Sequence, residues 1–262
     1  MTDIRESILN KLKETENIYK VKIPLAIESG SRGWGFASID SDYDCRFIYV
    51  HLKDRYLSVF DKKDVIEYAS DAIFDINGWD IKKVLLHITK SNAVMHEWLS
   101  SNEIYIKDKY IAGLLQDLAS DYFNPIAASY HYLSIAKNTF NEIITTDEAK
   151  LKKYFYILRP IANLNFIYQY GKIPYMEYDK TLNEIDVGLE IIALINELKQ
   201  IKAVSNESHK IKTNKTLIQY FQKEIDLFTE KLKEMKFNKN RNYEKVDKVF
   251  REIIDKVWSN EC

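Results

Sequence analysis

Three of the seven glycines in the 262-residue sequence fall within Gly30-Ser31-Arg32-Gly33-Trp34-Gly35, and Ser41-Asp42-Tyr43-Asp44 follows within a few positions. A glycine-serine turn leaves backbone amides and a hydroxyl open to an anion, and where it opens a helix it forms a cradle for phosphate oxygens. Two carboxylates at i and i+2 on an extended chain share a face, so Asp42 and Asp44 repel one another and invite a divalent cation. Hard oxygen ligands suit Mg²⁺ or Mn²⁺ rather than zinc. A phosphate cradle beside a carboxylate-held metal is the apparatus of phosphoryl or nucleotidyl transfer. Taken apart, the halves read as a Gly-rich turn and an Asp-rich loop capping local amides. At this spacing the chemical reading is preferred.

The elements that must position these residues are legible around them. Val21 to Ile27 reads as a strand entering the turn, with Pro24 arguing for an edge or an early position. Arg32 to Phe36 is expected to form a short helix, and Asp44 to Leu52 a second strand rich in aromatic and β-branched residues. Cys45, next to Asp44, should then face packing. An amphipathic helix over Asp3 to Tyr19 should cover the sheet. Val65 to Tyr68 reads as a short strand, and Ala72 to Ile76 as a further one that stops at Asn77-Gly78. Asp75, flanked by apolar residues, is an odd place for a charge without a task. Asp80 precedes Ile81-Lys82-Lys83-Val84 and is more simply an N-cap for a helix reaching Thr89.

Gly30-Ser31 with Asp42-Tyr43-Asp44 resembles the Gly-Ser…Asp-x-Asp signature of the DNA polymerase beta nucleotidyltransferase superfamily. The longer pattern, Gly-Ser-Arg-Gly-Trp-Gly-Phe-Ala-Ser then Ser-Asp-Tyr-Asp-Cys-Arg-Phe-Ile-Tyr, is similar to the branch linked to RNA repair pathways. Three further stretches carry the same resemblance: Gly78 to Lys83, Lys90 to Leu99 and Lys152 to Pro160. The resemblance implies an NTP as substrate, with Gly30, Ser31 and Arg32 at its phosphates and Asp42 and Asp44 as metal ligands. It also implies a third carboxylate from a neighbouring strand, Asp75 in preference to Asp80. Around Arg159-Pro160, Lys153 and Arg159 are candidate triphosphate contacts and Tyr154 or Tyr156 a candidate base platform. RNA is the acceptor the resemblance suggests.

The rest of the chain bounds this reading. Hydrophobic residues at 46% and charged ones at 29% are the balance of a globular protein, whereas the net charge of −1 offers no global attraction for nucleic acid. Any RNA must therefore meet a local basic face. Cys45 and Cys262 imply neither a disulfide framework nor a zinc motif. No signal-like segment and no apolar run near the ~20 residues of a membrane span is present, so a cytoplasmic protein is expected. His96-Glu97 superficially resembles a zinc-protease motif, but Ser100 stands where the second histidine belongs.

Beyond Lys107 the pattern is almost wholly helical. Asn124-Pro125 opens one helix, a Thr145-to-Glu148 capping box the next, which stops at Gly171, and three amphipathic helices follow as a bundle. The run Lys231, Lys233, Lys236, Lys239 and Arg241 reads as a solvated helix end. The expected fold is α/β (α+β): a small mixed sheet with flanking helices over residues 1–105, then a helical domain over 106–262. Two alternatives to RNA modification stay open, an AMP-transferring antitoxin-type enzyme acting on a protein, and a catalytically silent nucleotide sensor or RNA-binding scaffold.

Overall fold

The computed structural model describes residues 4–68, 73–236 and 242–259. The first part runs α1 (Ile4–Tyr19), β1 (Val21–Glu28), α2 (Gly30–Trp34), β2 (Tyr43–His51), α3 (Lys53–Tyr56), β3 (Val65–Glu67) and β4 (Phe74–Asp80). Next come α4 (Ile81–Thr89), α5 (Ala93–Ser100), β5 (Ile104–Lys107), α6 (Lys109–Tyr122) and α7 (Pro125–Ile143). The last part comprises β6 (Glu148–Lys150), α8 (Leu151–Tyr170), α9 (Tyr178–Asn183), α10 (Leu189–Val204), β7 (Lys210–Lys212), α11 (Lys215–Glu234) and α12 (Tyr243–Trp258).

Two compact units share the chain. The first comprises residues 1–33, 42–122 and 240–262, and the second residues 34–41 and 123–239. The expected division near residue 105 thus falls inside the first unit, because α6 packs on β1, α4 and α5. α12, expected in the helical bundle, instead packs on α4, α6 and β2. Its Ile253 and Ile254 are buried there.

In the first unit a five-stranded mixed sheet runs in the order β3-β4-β2-β1-β5. β2 and β4 are parallel, and the other pairings are antiparallel. Alternation sends Cys45, Phe47 and Tyr49 into a cluster with Ile8 and Leu12 of α1. Ile48 and Val50, on the opposite face, are equally buried, so the sheet is covered on both sides. Pro24 does not mark an edge: β1 is paired on both flanks, and the register with β2 shifts between Lys22 and Leu25, where the missing N–H is accommodated.

β4 does not stop at Asn77-Gly78 but continues to Asp80. Gly78 stands opposite Phe47, and a Cβ there would lie 2.1 Å from the Phe47 ring. The glycine makes room for an aromatic neighbour rather than ending the strand. Helix starts follow their local signals: the side chains of Asp80, Asn92 and Asn124 each accept a backbone N–H at the start of α4, α5 and α7.

The second unit is built on α8, which buries residues on every side and contacts α7, α9, α10 and α11. Pro160 lies inside it and the helix continues to Gly171. The capping box expected at Thr145 does not open α8. Glu148–Lys150 pairs instead with Lys210–Lys212 as a two-stranded ribbon, and α8 starts at Leu151. A strand partner about sixty residues away takes over a sequence whose local preference is a cap.

Candidate active site

The Gly-Ser turn and the carboxylates meet in the first unit. Gly30 opens α2 with φ +55°, a left-handed conformation that glycine adopts without strain. A Cβ on Gly30 would lie 1.8 Å from Oδ2 of Asp44, so only glycine lets the turn approach that carboxylate. The approach is locked by the backbone, since the Ser29 N–H donates to the Asp44 carbonyl at 2.8 Å. Arg32 stacks over Tyr43 at 3.9 Å and its Nε donates to the Asp42 carbonyl at 3.0 Å. Its guanidinium therefore braces the Asp42–Tyr43 segment.

Parallel pairing of β2 with β4 sets Asp75 directly beside Asp44. Asp80 lies five residues further along β4, about 17 Å away at the usual strand rise. There it caps α4 through the Lys82 N–H at 2.8 Å and accepts the Tyr56 hydroxyl at 3.0 Å. Of the two candidates for a third carboxylate, Asp75 is the one placed with Asp44.

Two further participants stand outside the motif. Arg46, two residues past Asp44 and on its face, donates to Asp44 Oδ1 at 2.9 Å and Asp75 Oδ2 at 2.7 Å. It also donates to the Asp75 carbonyl at 2.8 Å. Glu28, the last residue of β1, is 4% exposed and accepts the Asp44 N–H at 2.9 Å and the Tyr105 hydroxyl. For Arg46 the i, i+2 spacing from Asp44 is a signal the sequence contains. Glu28 has none, because Tyr105 is 77 residues away.

The electrostatics follow from crowding acids into a half-enclosed place. Burial pushes Asp44 up to about 6, with Asp42 and Asp75 adding to the rise and Arg46 opposing it. Burial likewise pushes Glu28 to about 7 despite its hydrogen bonds. Arg46, with Arg32 acting on Glu28, stands against four acids, Glu28, Asp42, Asp44 and Asp75. Among the described residues no group of three or more His, Cys, Asp or Glu side chains is gathered to hold a metal ion, and Arg46 bridges Asp44 and Asp75. The donor chemistry nonetheless fits a hard divalent cation: carboxylate oxygens short of positive charge.

The candidates around Pro160 lie in the second unit and are engaged there. Lys153 pairs with Glu142 at 2.8 Å, and Lys152 with Glu207 at 3.5 Å. Arg159 is 5% exposed, with its guanidinium 4.4 Å over the ring of Trp34. Tyr154 is fully buried beside Phe221, and Tyr156 meets Trp34 edge-on. A base platform at Tyr154 is therefore ruled out by burial, and Arg159 grips the loop that follows the Gly-Ser turn. The Trp34 and Phe36 of that loop pack on α8, Phe36 stacking on Phe155 at 4.8 Å. Its polar end is held by Lys202, 2% exposed, which donates to Ser38 at 2.8 Å and pairs with Glu207 at 3.3 Å. Lys239, Arg241, Ala72 and Cys262 lie outside the described residues; within the basic run, Lys233 pairs with Glu230 and Lys231 sits over Tyr168.

The model of the RNA repair pathway DNA polymerase beta family (RlaP) matches residues 4–252. The chain belongs to this family. It is accordingly a polymerase-beta-like nucleotidyltransferase linked to RNA repair. An uncharacterized Bacillus subtilis (strain 168) protein, YcgL, is 36% identical over 257 residues, spanning 98% of this chain and 99% of YcgL. A crystal structure of a nucleotidyltransferase-like protein from Exiguobacterium sibiricum 255-15 aligns with a TM-score of 0.32 at 11% identity, over 95% of this chain and 80% of that one. No helix among the described residues is long and apolar enough to cross a membrane.

Proposed function

We propose that this member of the family transfers a nucleoside monophosphate from an NTP to a hydroxyl of RNA, releasing pyrophosphate. The acceptor oxygen attacks the α-phosphorus, the bond from that phosphorus to the bridging oxygen of the leaving pyrophosphate breaks, and the hydroxyl proton passes to a carboxylate of the site. Gly30 and Ser31 receive the β- and γ-phosphates, with Arg32 at their edge. Asp42 and Asp44 hold Mg²⁺ or Mn²⁺, and Asp75 completes the set. The cation, when bound, neutralises charge on the phosphates and on the attacking and leaving oxygens. Arg46 pairs with Asp44 and Asp75 and so holds the two carboxylates side by side.

The observation that supports this reading is the close approach of the Gly-Ser turn to the Asp44 carboxylate. The silent-sensor reading draws on one observation of its own, the Arg46 bridge between Asp44 and Asp75. Purified protein incubated with Mg²⁺ or Mn²⁺, labelled NTPs and RNA, DNA or protein acceptors separates the readings, with Asp42→Ala/Asp44→Ala as control. Label transferred to RNA by the wild type alone is the expected result. Transfer to protein alone selects the antitoxin-type reading, NTP binding without transfer selects the sensor, and no NTP binding overturns the proposal.

A further inference from the structure

Arg55, Lys62, Lys63, Lys82 and Lys83 line a cavity of about 210 Å³ in the first unit. It lies where β2 and β4 end in His51 and Asp80, at the opposite end of those strands from Asp44 and Asp75. Three aspartates share its wall against the five cations, and one of them is already paired. Asp64 pairs with Lys83 at 3.1 Å, and Asp80 caps α4 and accepts the Tyr56 hydroxyl. Asp61 and Asp80, the latter within electrostatic reach of Arg55, then stand against Arg55, Lys62, Lys63 and Lys82, four cations to two carboxylates, and none of these four cations makes an ion pair among the described residues. The Nε of Arg55 is closed off from solvent without a hydrogen-bond partner. An aromatic ring stands at the rim: Phe60 is 73% exposed, with Lys62 Nζ 5.9 Å from its centroid.

Cations in excess of carboxylates in a concavity repel one another, and a phosphate relieves that repulsion while satisfying several donors at once. An exposed ring beside a phosphate site offers a stacking face to a nucleobase. The geometry points to a second ligand site here: the cavity binds a nucleoside phosphate, its phosphate among Arg55, Lys63 and Lys82 and its base on Phe60. Such a ligand comes either as one unit of an RNA strand or as a free nucleotide. The site supplies the local basic face that a chain of net charge −1 needs for a polyanion. It is independent of the roles proposed for Asp42 and Asp44.

The test measures binding of a labelled single-stranded RNA by anisotropy and of AMP by calorimetry, using the full chain, Arg55→Gln/Lys63→Gln/Lys82→Gln and Phe60→Ala. RNA affinity should fall about tenfold or more in the triple variant, with the slope of log affinity against log salt reduced by about two. Phe60→Ala should weaken RNA binding about fivefold or more. NTP binding at the Gly30-Ser31 turn should be unchanged in both. If AMP competes with the RNA and loses affinity in the same variants, the free nucleotide is the ligand; if only RNA responds, the strand is. RNA and AMP binding that is absent from the wild type, or equal in folded variants and wild type, overturns the proposal. Should the triple variant unfold, Lys63→Glu, at an exposed loop position, must still weaken RNA or AMP binding.

Discussion

Replacing Glu28 with glutamine should stabilise the first unit, and the gain should grow with pH. The carboxyl of Glu28 is pushed from its ordinary 4.5 to about 7 by burial, so its ionised form is disfavoured in the fold by about 3 kcal/mol. Between these two values the folded chain holds a proton that the unfolded chain has released. Stability from this group is therefore fully present below pH 4.5 and is lost as pH rises through 7. Glutamine keeps an oxygen for the Asp44 N–H and a polar group for the Tyr105 hydroxyl, but never carries the charge. Relative to wild type, Glu28→Gln should gain up to about 3 kcal/mol between pH 5 and pH 8, a large part of the 5–15 kcal/mol typical of a domain. Urea unfolding in chelator, followed by the fluorescence of Trp79, Trp98 and Trp258 in this unit, reads the difference. A Glu28→Gln advantage that is the same at pH 5 and pH 8 would refute the reasoning, because the burial cost would then not fall on the ionised form.

Two further perturbations test the packing that positions the site. Gly78→Ala places a methyl group inside the buried ring of Phe47 and should destabilise by about 1–3 kcal/mol, lowering the thermal midpoint; Gly78→Ala/Phe47→Leu should recover part of the loss, and additive losses would count against the contact. Lys202→Met leaves Glu207 without its buried partner and should cost the second unit about 1–3 kcal/mol, since Glu207 keeps some exposure and its contact with Lys152. Adding Glu207→Gln should restore part of that stability in a urea titration.

Local chemistry makes much of this protein legible along the chain. A cap needs a side-chain oxygen within two or three residues of the N–H it accepts, so Asp80, Asn92 and Asn124 mark their helices by type and position alone. Strand alternation accounts for the burial of Cys45, and the Gly30-to-Asp44 spacing for the meeting of turn and carboxylate. Other features depend on which distant segment arrives. Gly78 has the local character of a strand end, yet Phe47 beside it makes it a strand interior; Thr145 has that of a cap, yet Lys210–Lys212 pairs with the chain beyond it. Arg159 has the charge of a phosphate contact, yet Trp34 lies beneath it. The acidity of Glu28 rests on enclosure and on Tyr105, 77 residues away, and that of Asp44 on enclosure and on Asp75 in the next strand. The Gly-Ser turn, the caps at Asp80, Asn92 and Asn124 and the alternation along β2 are settled by neighbours along the chain, so the sequence alone determined them. Charge balance and cross-strand fit depend on neighbours in space, and only the tertiary structure decided those.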